Sequence, residues 1–161
     1  MKKFAVLFML GYMMLVGGNS VYAQEHPVQI SLFNPIQLFS ENSSIAGLRL
    51  NLLYGKNKNM TGLDFGLVNH TTGTVKGLQF GLVGLSGGDF TGWQDNVVNI
   101  TKSKFEGLQW GFVNYAKSMN GVQIGIVNYA AYMDKGLQIG LINIITENGA
   151  FPFFPIINWS F

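Results

Sequence analysis

The residues that could carry out chemistry are few. The chain has 161 residues, no cysteine and two histidines, His26 and His70. Zero Cys excludes disulfides, thiolate metal sites and a cysteine nucleophile. The glycine-rich turn at 84–92 lacks a following helix and a Lys-Ser/Thr pair, so it is not a phosphate-binding loop. We therefore expect no catalytic residue, no cofactor and no metal, with His70 a solvated corner residue and His26 in a disordered N-terminal stretch.

The N-terminal 23 residues read as an export signal. Lys2 and Lys3 precede an apolar run at 4–16, and small residues precede a cleavage site after Ala23. The run is shorter than the roughly 20 residues of a membrane-spanning helix, which makes the alternative of an anchor less favoured. The remaining residues, 24–161, hold 10 − 2 = 8 basic side chains against 8 acidic ones. We expect one exported, charge-balanced domain that binds no nucleic acid.

A short repeat fills almost the whole of that domain. The pattern G-x-Q-x-G-x-x-N recurs, clearly or in weaker copies, in nine units that start at 27, 47, 62, 77, 92, 107, 121, 136 and 151. We number the eight positions of each unit as slots one to eight and continue the count to the next unit. Slots two, four and six are apolar in alternation with Gly, Gln and Gly, which is the pattern of a β-strand. The sequence predicts an all-β fold with slots two, four and six pointing into the core.

Slot eight is asparagine in most units, at the end of each predicted strand. Asparagine tolerates left-handed backbone conformations and bonds its own backbone, and stacked Asn side chains bond one to the next. We predict a structural corner column of these residues, namely Asn34, Asn69, Asn99, Asn114, Asn128, Asn143 and Asn158.

Two architectures fit this pattern. In a parallel β-solenoid, or β-roll, each 14–15-residue unit is one coil, and equivalent units stack with like residues on like. In a small antiparallel β-barrel of the outer membrane, the same strands would alternate in direction. Slots two to six span only about 13 Å, short of the roughly 25 Å apolar band of membrane barrels. We therefore favour the solenoid, with residues 35–46 and the tail from 151 as caps for its open ends.

Asp95 interrupts the apolar pattern, because it occupies slot four of its unit, beside Asn96 in place of a glycine. An unpaired buried carboxylate is costly, so we expect a bulge that turns Asp95 to water. A buried, hydrogen-bonded Asp95 and a ligand site are the alternatives. Trp93 and Trp110 lie near it and would suit a carbohydrate, although a packed core explains them as well. Trp93, Asp95 and Trp110 are therefore the candidate binding residues.

The tandem units resemble a family of exported bacterial surface-repeat proteins with G-x-Q-x-G-x-x-N repeats. The lead-in at 27–34, the stretch 48–57 and the ending 154–161 are similar to that family too. The resemblance implies export and association with the outer envelope or cell surface, and it implies no substrate or catalytic residue. The repeat length is also similar to that of the β-rolls of trimeric adhesin heads, an analogy of fold alone.

The leading hypothesis is a non-enzymatic exported repeat protein of the cell envelope or surface, acting as a structural or binding scaffold. The alternatives are a small outer-membrane β-barrel, serving as a pore or membrane anchor, and an enzyme. Candidate partners are an envelope component, a glycan, or a second subunit contacted through the Gly/Gln face. A solvent-facing glutamine ladder that only stabilises the stack is the other interpretation of that face.

Overall fold

The structure, a computed structural model, describes residues 25–161, so the predicted signal segment lies outside the described residues. Nine β-strands account for most of this part: β1 Glu25–Phe33, β2 Ile36–Gln37, β3 Ser44–Asn57, β4 Met60–Thr71, β5 Val75–Ser86, β6 Phe90–Trp110, β7 Val113–Ile124, β8 Val127–Glu147 and β9 Phe153–Ser160. The prediction of an all-β fold is confirmed. Over residues 25–161 the structure contains no helix with the length and apolar character needed to cross a membrane.

The strands form one continuous sheet with the order β2-β1-β3-β4-β5-β6-β7-β8-β9. All pairs from β1/β3 to β7/β8 are parallel, and equivalent slots face one another, as when Asp64 pairs with Gln79 and Phe65 with Phe80. Consecutive parallel strands joined by connections of only a few residues require the chain to wind as a coil. The fold is therefore the predicted parallel β-solenoid with one coil per unit of about 15 residues, and not the antiparallel barrel.

Each coil turns at slot six. Between β4 and β5 the pairing runs through Gly66 and Gly81, omits slot six, and resumes at Val68 and Val83. The second strand segment continues to slot ten, and the connecting segment returns the chain to the next glycine. The strands β6 and β8 are 21 residues long because each passes through parts of two successive coils.

The predicted inward orientation of slots two, four and six is wrong. These side chains are exposed or half-buried in the described coils, whereas the slot-three side chains from Gln29 to Gln138 and the slot-eight asparagines from Asn69 to Asn143 are fully buried. The apolar core is formed instead by the residue two or three places before each glycine, together with apolar residues at slot ten. Its members are Ile45, Met60, Val75, Phe90, Phe105, Ala116, Met119, Ala130, Met133 and Ile145.

The narrowness of the coil explains this inversion. A Cβ on the slot-five Gly125 would overlap the carbonyl oxygen of Gly111 and lie 2.7 Å from Nδ2 of Asn114. The interior beside the asparagine column therefore has no room for large apolar side chains. Amide side chains fit there because they hydrogen-bond along the stack, and buried polar groups that are paired carry little penalty.

The two ends of the solenoid differ from its body. β2 pairs antiparallel with β1 at one edge, and β9 pairs antiparallel with β8 at the other. The prediction that the unit starting at 151 forms one more coil is wrong, because this unit runs in the opposite direction and sets Asn158 beside Gln138. Both segments predicted as caps thus lie at the ends of the sheet, where open strand edges would otherwise be exposed.

Candidate functional site

A ladder of glutamine side chains runs through the interior of the solenoid. Each Nε2 donates to Oε1 of the glutamine one coil earlier, at 2.9 Å from Gln94 to Gln79 and from Gln109 to Gln94, and at 2.7 Å from Gln123 to Gln109 and from Gln138 to Gln123. In the later coils the same nitrogen also donates to the slot-nine carbonyl of its own coil. The glutamines are fully buried, so the ladder is internal to the coil.

The predicted Gly/Gln contact face is therefore wrong. A side chain that is 0% exposed, as Gln79, Gln109 and Gln138 are, cannot contact a second subunit, a glycan or an envelope component. The expectation of a solvent-facing ladder is wrong for the same reason. The ladder itself exists, but water is excluded from it, and hydrogen bonds in such an environment are electrostatically stronger than in water.

The ladder ends on a buried ion pair that was not among the predicted site residues. Gln79 donates to Oδ2 of Asp64 at 2.8 Å, and Arg49 binds both carboxylate oxygens of Asp64 through Nε at 2.7 Å and Nη2 at 2.6 Å. Both side chains are fully buried. Arg49 also donates to Oγ1 of Thr71 at 3.0 Å and to the carbonyl of His70 at 3.1 Å. The pair was detectable in the sequence, because opposite charges occupy slot three in two successive units.

The asparagine side chains form a second ladder at the slot-eight corner. Nδ2 donates to Oδ1 of the next asparagine at 2.8 Å in three successive steps, from Asn99 to Asn114, Asn128 and Asn143. Each Asn Nδ2 also donates to a backbone carbonyl of the following coil or cap, for example from Asn114 to Ile124 at 2.9 Å. These amides donate toward the C-terminal end, whereas the glutamines donate toward the N-terminal end.

The remaining members of the predicted column lie outside this run. Asn69 accepts a hydrogen bond from Asn51 at 2.7 Å and donates to the carbonyl of Phe80. Asn34 lies in the turn before β2 and donates to Glu41, and Asn158 lies on the reversed strand β9 and donates to the carbonyl of Phe151. The inclusion of Asn34 and Asn158 in one stacked column is therefore wrong, because both belong to the ends where the coil geometry is interrupted.

Substitution of Asn114 tests how much the asparagine ladder contributes. Asn114→Ala removes the acceptor of Asn99 and the donor to Asn128 while leaving both partners buried. We expect the free energy of unfolding to fall by about 1–3 kcal/mol, as for unsatisfied buried polar groups. Urea unfolding measures this loss of stability. The control is Asn120→Ala, at a half-buried position in the segment that leads to the next glycine. Equal effects of the two substitutions would contradict a stabilising ladder.

The outside of the solenoid carries a continuous apolar surface. We define the apolar face as slots two, four, six and seven of the units that start at 47, 62, 77, 92, 107, 121 and 136. Its most exposed members lie at the corner in slot six, where Phe112 is 62% and Leu141 66% exposed. Ring stacking continues along the face, with Phe65 and Phe80 centroids 5.2 Å apart. The face contains a single ionisable side chain, Asp95.

The three candidate binding residues lie on this apolar face. Trp93 is 38% and Trp110 51% exposed, Asp95 is half-buried, and the rings of Trp93 and Phe80 meet edge to face at 5.6 Å. The predicted bulge at Asp95 is wrong, since Phe80 pairs with Asp95 in unbroken register. No bulge is required because slot four already faces outward, where the carboxylate reaches solvent.

An apolar groove lies between the slot-four and slot-six columns toward the C-terminal end of the face. It has a volume of about 430 Å³, follows the glycines Gly111, Gly125 and Gly140 across three coils, and is bounded by Ile156 of β9. The slot-four side chain of Trp110 lines one side and the slot-six Leu141 lines another. The groove therefore crosses three coils, opens to the outside and is nearly free of polar lining groups.

The surroundings of His70 disfavour its protonated form. It is half-buried, and its Nδ1 lies 2.8 Å from Oη of Tyr54. Burial, together with the positive charges of Lys56 and Lys102, lowers the pKa of His70 below its ordinary value of 6.5. The expectation of a solvated corner residue thus underestimated its contacts, and His26 is likewise ordered in β1, where its ring stacks on Phe39 at 3.5 Å.

This lowered pKa predicts a pH-dependent stability. The unfolded chain takes up a proton near pH 6.5, whereas folded His70 resists protonation, so acid favours the unfolded state. We expect the free energy of unfolding to fall as pH drops below about 6.5. His70→Tyr introduces the residue that occupies slot nine in the coils starting at 107 and 121. It should make the free energy of unfolding less dependent on pH. Urea unfolding between neutral and mildly acidic pH measures it, and an unchanged slope would contradict the role of His70.

Two surface carboxylates also titrate below their ordinary range. A hydrogen bond from Ser103 and one from the backbone of Lys104 lower the pKa of Asp89. The side-chain amide of Asn34 and the ammonium group of Lys56 lower the pKa of Glu41. Neither carboxylate belongs to the apolar face, since Glu41 lies in the segment before β3 and Asp89 in the connection between β5 and β6.

Residues 25–161 contain no group of three or more His, Asp or Glu side chains arranged to hold a metal ion. The comparison of the chain with protein-family models, with curated proteins and with solved structures finds no match. Inside, the molecule has buried ladders of amide side chains beside a small apolar core. Outside, it has the exposed apolar face, which β9 borders only at the C-terminal end.

Proposed function

We propose that the protein is an exported, non-enzymatic repeat protein of the bacterial cell envelope or surface, acting as a scaffold that binds its partner through the apolar face. The observation that carries the proposal is the exposure of this face along all seven coils. Monomeric soluble proteins rarely expose continuous apolar patches beyond about several hundred Å², and larger ones mark interaction sites. An exposed apolar column repeated at each coil is the arrangement expected of an extended contact surface.

The interior supports a scaffold rather than a reaction centre. The buried amides of the glutamine and asparagine columns bond to one another and to backbone carbonyls, and the buried carboxylate of Asp64 is paired with Arg49. These groups hold the coils in register and do not converge on an open cavity. The apolar groove, which does open to the outside, is lined almost entirely by apolar side chains and glycines.

Export is tested with the full chain produced in a Gram-negative bacterium. We expect mass spectrometry of the recovered protein to show loss of residues 1–23, and fractionation to place it in the envelope or on the surface. Leu7→Arg, which interrupts the apolar run at 4–16, is the matched control and should leave the chain uncleaved in the cytoplasm. Recovery of the unaltered chain in the cytoplasm with residues 1–23 intact would contradict the proposal.

A further inference from the structure

The apolar face is convex. Adjacent residues of a strand point to opposite sides, so only one of two neighbours is exposed while the strand stays straight. In the coils starting at 107 and 136 both neighbours at slots six and seven are exposed, as for Phe112 with Val113 and Leu141 with Ile142. The chain therefore bends at this point in each coil, and the stacked corners form an apolar ridge along the solenoid axis with apolar columns on its flank.

A convex ridge limits what can cover it. A second copy that paired through a two-fold axis would present the same convex surface, and two ridges touch along a line rather than over an area. A partner that conforms to both sides of the ridge would bury more of it. Lipid acyl chains are fluid and apolar, and they fill the space around a protruding apolar edge.

Backbone amides of the ridge are hydrogen-bonded, as burial in the hydrocarbon region of a bilayer requires. Transfer of an unpaired backbone amide or carbonyl into lipid costs roughly several kcal/mol of free energy, so only segments with hydrogen-bonded backbones are tolerated there. At the corner the amide of Phe112 donates to the carbonyl of Val97 at 2.9 Å, that of Ile126 to Phe112 at 3.0 Å, and that of Ile142 to Ile126 at 2.9 Å. The bonds run from coil to coil along the ridge, so insertion leaves these amides paired.

The borders of the apolar face are basic. Slot eleven on one side and slot fifteen on the other carry four exposed lysines, namely Lys76, Lys102, Lys117 and Lys135. The exposed Lys58 lies level with slot eleven of the next coil, because Asn57 pairs with Thr71. The same two columns carry one acidic residue, Glu106. Between the ridge and slot eleven lie the stacked rings of Tyr115 and Tyr129, with centroids 5.2 Å apart. Tyrosine and lysine beside an apolar surface are typical of the region where a protein meets lipid headgroups, and an excess of lysine attracts anionic ones.

From these observations we infer that a lipid bilayer bearing anionic headgroups covers the apolar face, with the ridge inserted among the acyl chains and the lysines at headgroup level. The groove along Gly111, Gly125 and Gly140 then lies at the depth of the acyl chains and accepts one parallel to the coil axis. This inference rests on the proposed function, since it names the partner of the same face. Asp95 is the one charge that insertion must keep near the water boundary.

The test is flotation of the full chain with vesicles of phosphatidylcholine containing phosphatidylglycerol. We expect the unaltered protein to float with the vesicles, and more weakly with phosphatidylcholine alone. Leu141→Asp places a carboxylate on the ridge and should reduce the bound fraction about tenfold or more, since charges facing lipid are strongly disfavoured. Asp95→Leu completes the apolar column and should strengthen binding.

The control is Thr72→Asp, which adds the same charge at an exposed slot-eleven position outside the apolar face and should bind far better than Leu141→Asp. All variants have the same residues 1–23, so differences in flotation among them arise from the apolar face. Thermal unfolding checks that each variant is folded. Equal flotation of Leu141→Asp and the unaltered protein would overturn the inference, as would no flotation at all. A stable dimer that does not bind vesicles would also overturn the inference. So would binding to a polysaccharide, abolished by Trp110→Ala, in the absence of vesicle binding. Neither result would affect the proposal that the protein is exported.

Discussion

Arg49→Gln is expected to lower the free energy of unfolding by about 3–5 kcal/mol, because it leaves the carboxylate of Asp64 buried without its counter-ion. Asp64 would lose two charge-assisted hydrogen bonds, at 2.7 and 2.6 Å, and would retain partners only in Gln79 and Asn51. Since Asp64 is fully buried, water cannot replace the lost bonds. Urea unfolding of the variant measures the loss.

A second substitution in the same background separates the charge from the shape of the site. The double variant Arg49→Gln with Asp64→Gln extends the glutamine ladder by two coils and should recover most of the stability, because neutral groups replace both charges. Lys56→Gln removes a half-exposed ion pair with Glu41, whose atoms lie 3.2 Å apart, and should have a much smaller effect. A double variant as unstable as Arg49→Gln alone would show that the column requires the ion pair itself.

Gly92→Ala is expected to lower the free energy of unfolding by on the order of 3 kcal/mol or more, combining backbone strain with a steric clash. Gly92 has a φ of 136°, a conformation that side-chain-bearing residues rarely adopt, and a Cβ there would overlap the carbonyl oxygen of Gly77 in the preceding coil. Gly77 and Gly92 are paired in adjacent strands, so relief of this overlap requires the two coils to shift apart. Every slot-one glycine from 47 to 136 has a φ between 116° and 154°, so the constraint repeats along the stack.

The neighbouring substitution Thr91→Ala provides the control for Gly92→Ala. Thr91 is exposed and one residue away, so the replacement adds no atom next to Gly77 and should change stability little. Thermal and urea unfolding compare the two variants directly. Similar midpoints would indicate that the coils can separate enough to admit a methyl group, and the close approach of slot-one glycines would then not be what spaces the coils.

The repeat spacing was enough to favour the solenoid over the antiparallel barrel. Units of equal length with equivalent slots indicate equivalent environments, and a parallel stack provides these from coil to coil. The asparagines from 99 to 143 could also be predicted to stack, because a regular spacing places them above one another. The ends could not be predicted in this way, since the unit at 151 keeps part of the pattern while its strand is reversed.

Which side of each strand faces the core could not be predicted from the apolar pattern alone. Alternation separates slot three from slots two and four, but it does not say which set points inward. The glycines at slots one and five hold that information, because they mark where backbones approach too closely for a side chain. Gln109 is buried and Trp110 exposed as a result, against the usual preference of the two residue types. The bulge predicted at Asp95 followed from the assumption that slot four points into the core, and it is wrong because slot four faces outward.

The number of coils can change independently of the structures that close the two ends of the solenoid. Each coil presents the same donors and acceptors to the next, and the ion pair of Arg49 and Asp64 lies near one end while the reversed strand β9 closes the other. A whole unit of 14 or 15 residues can thus be gained or lost between them without altering either end. Each such step changes the apolar face by about 4.8 Å of length. If the apolar face is the contact surface, as proposed, the number of repeats would set the area of that contact without any change in the residues that form it.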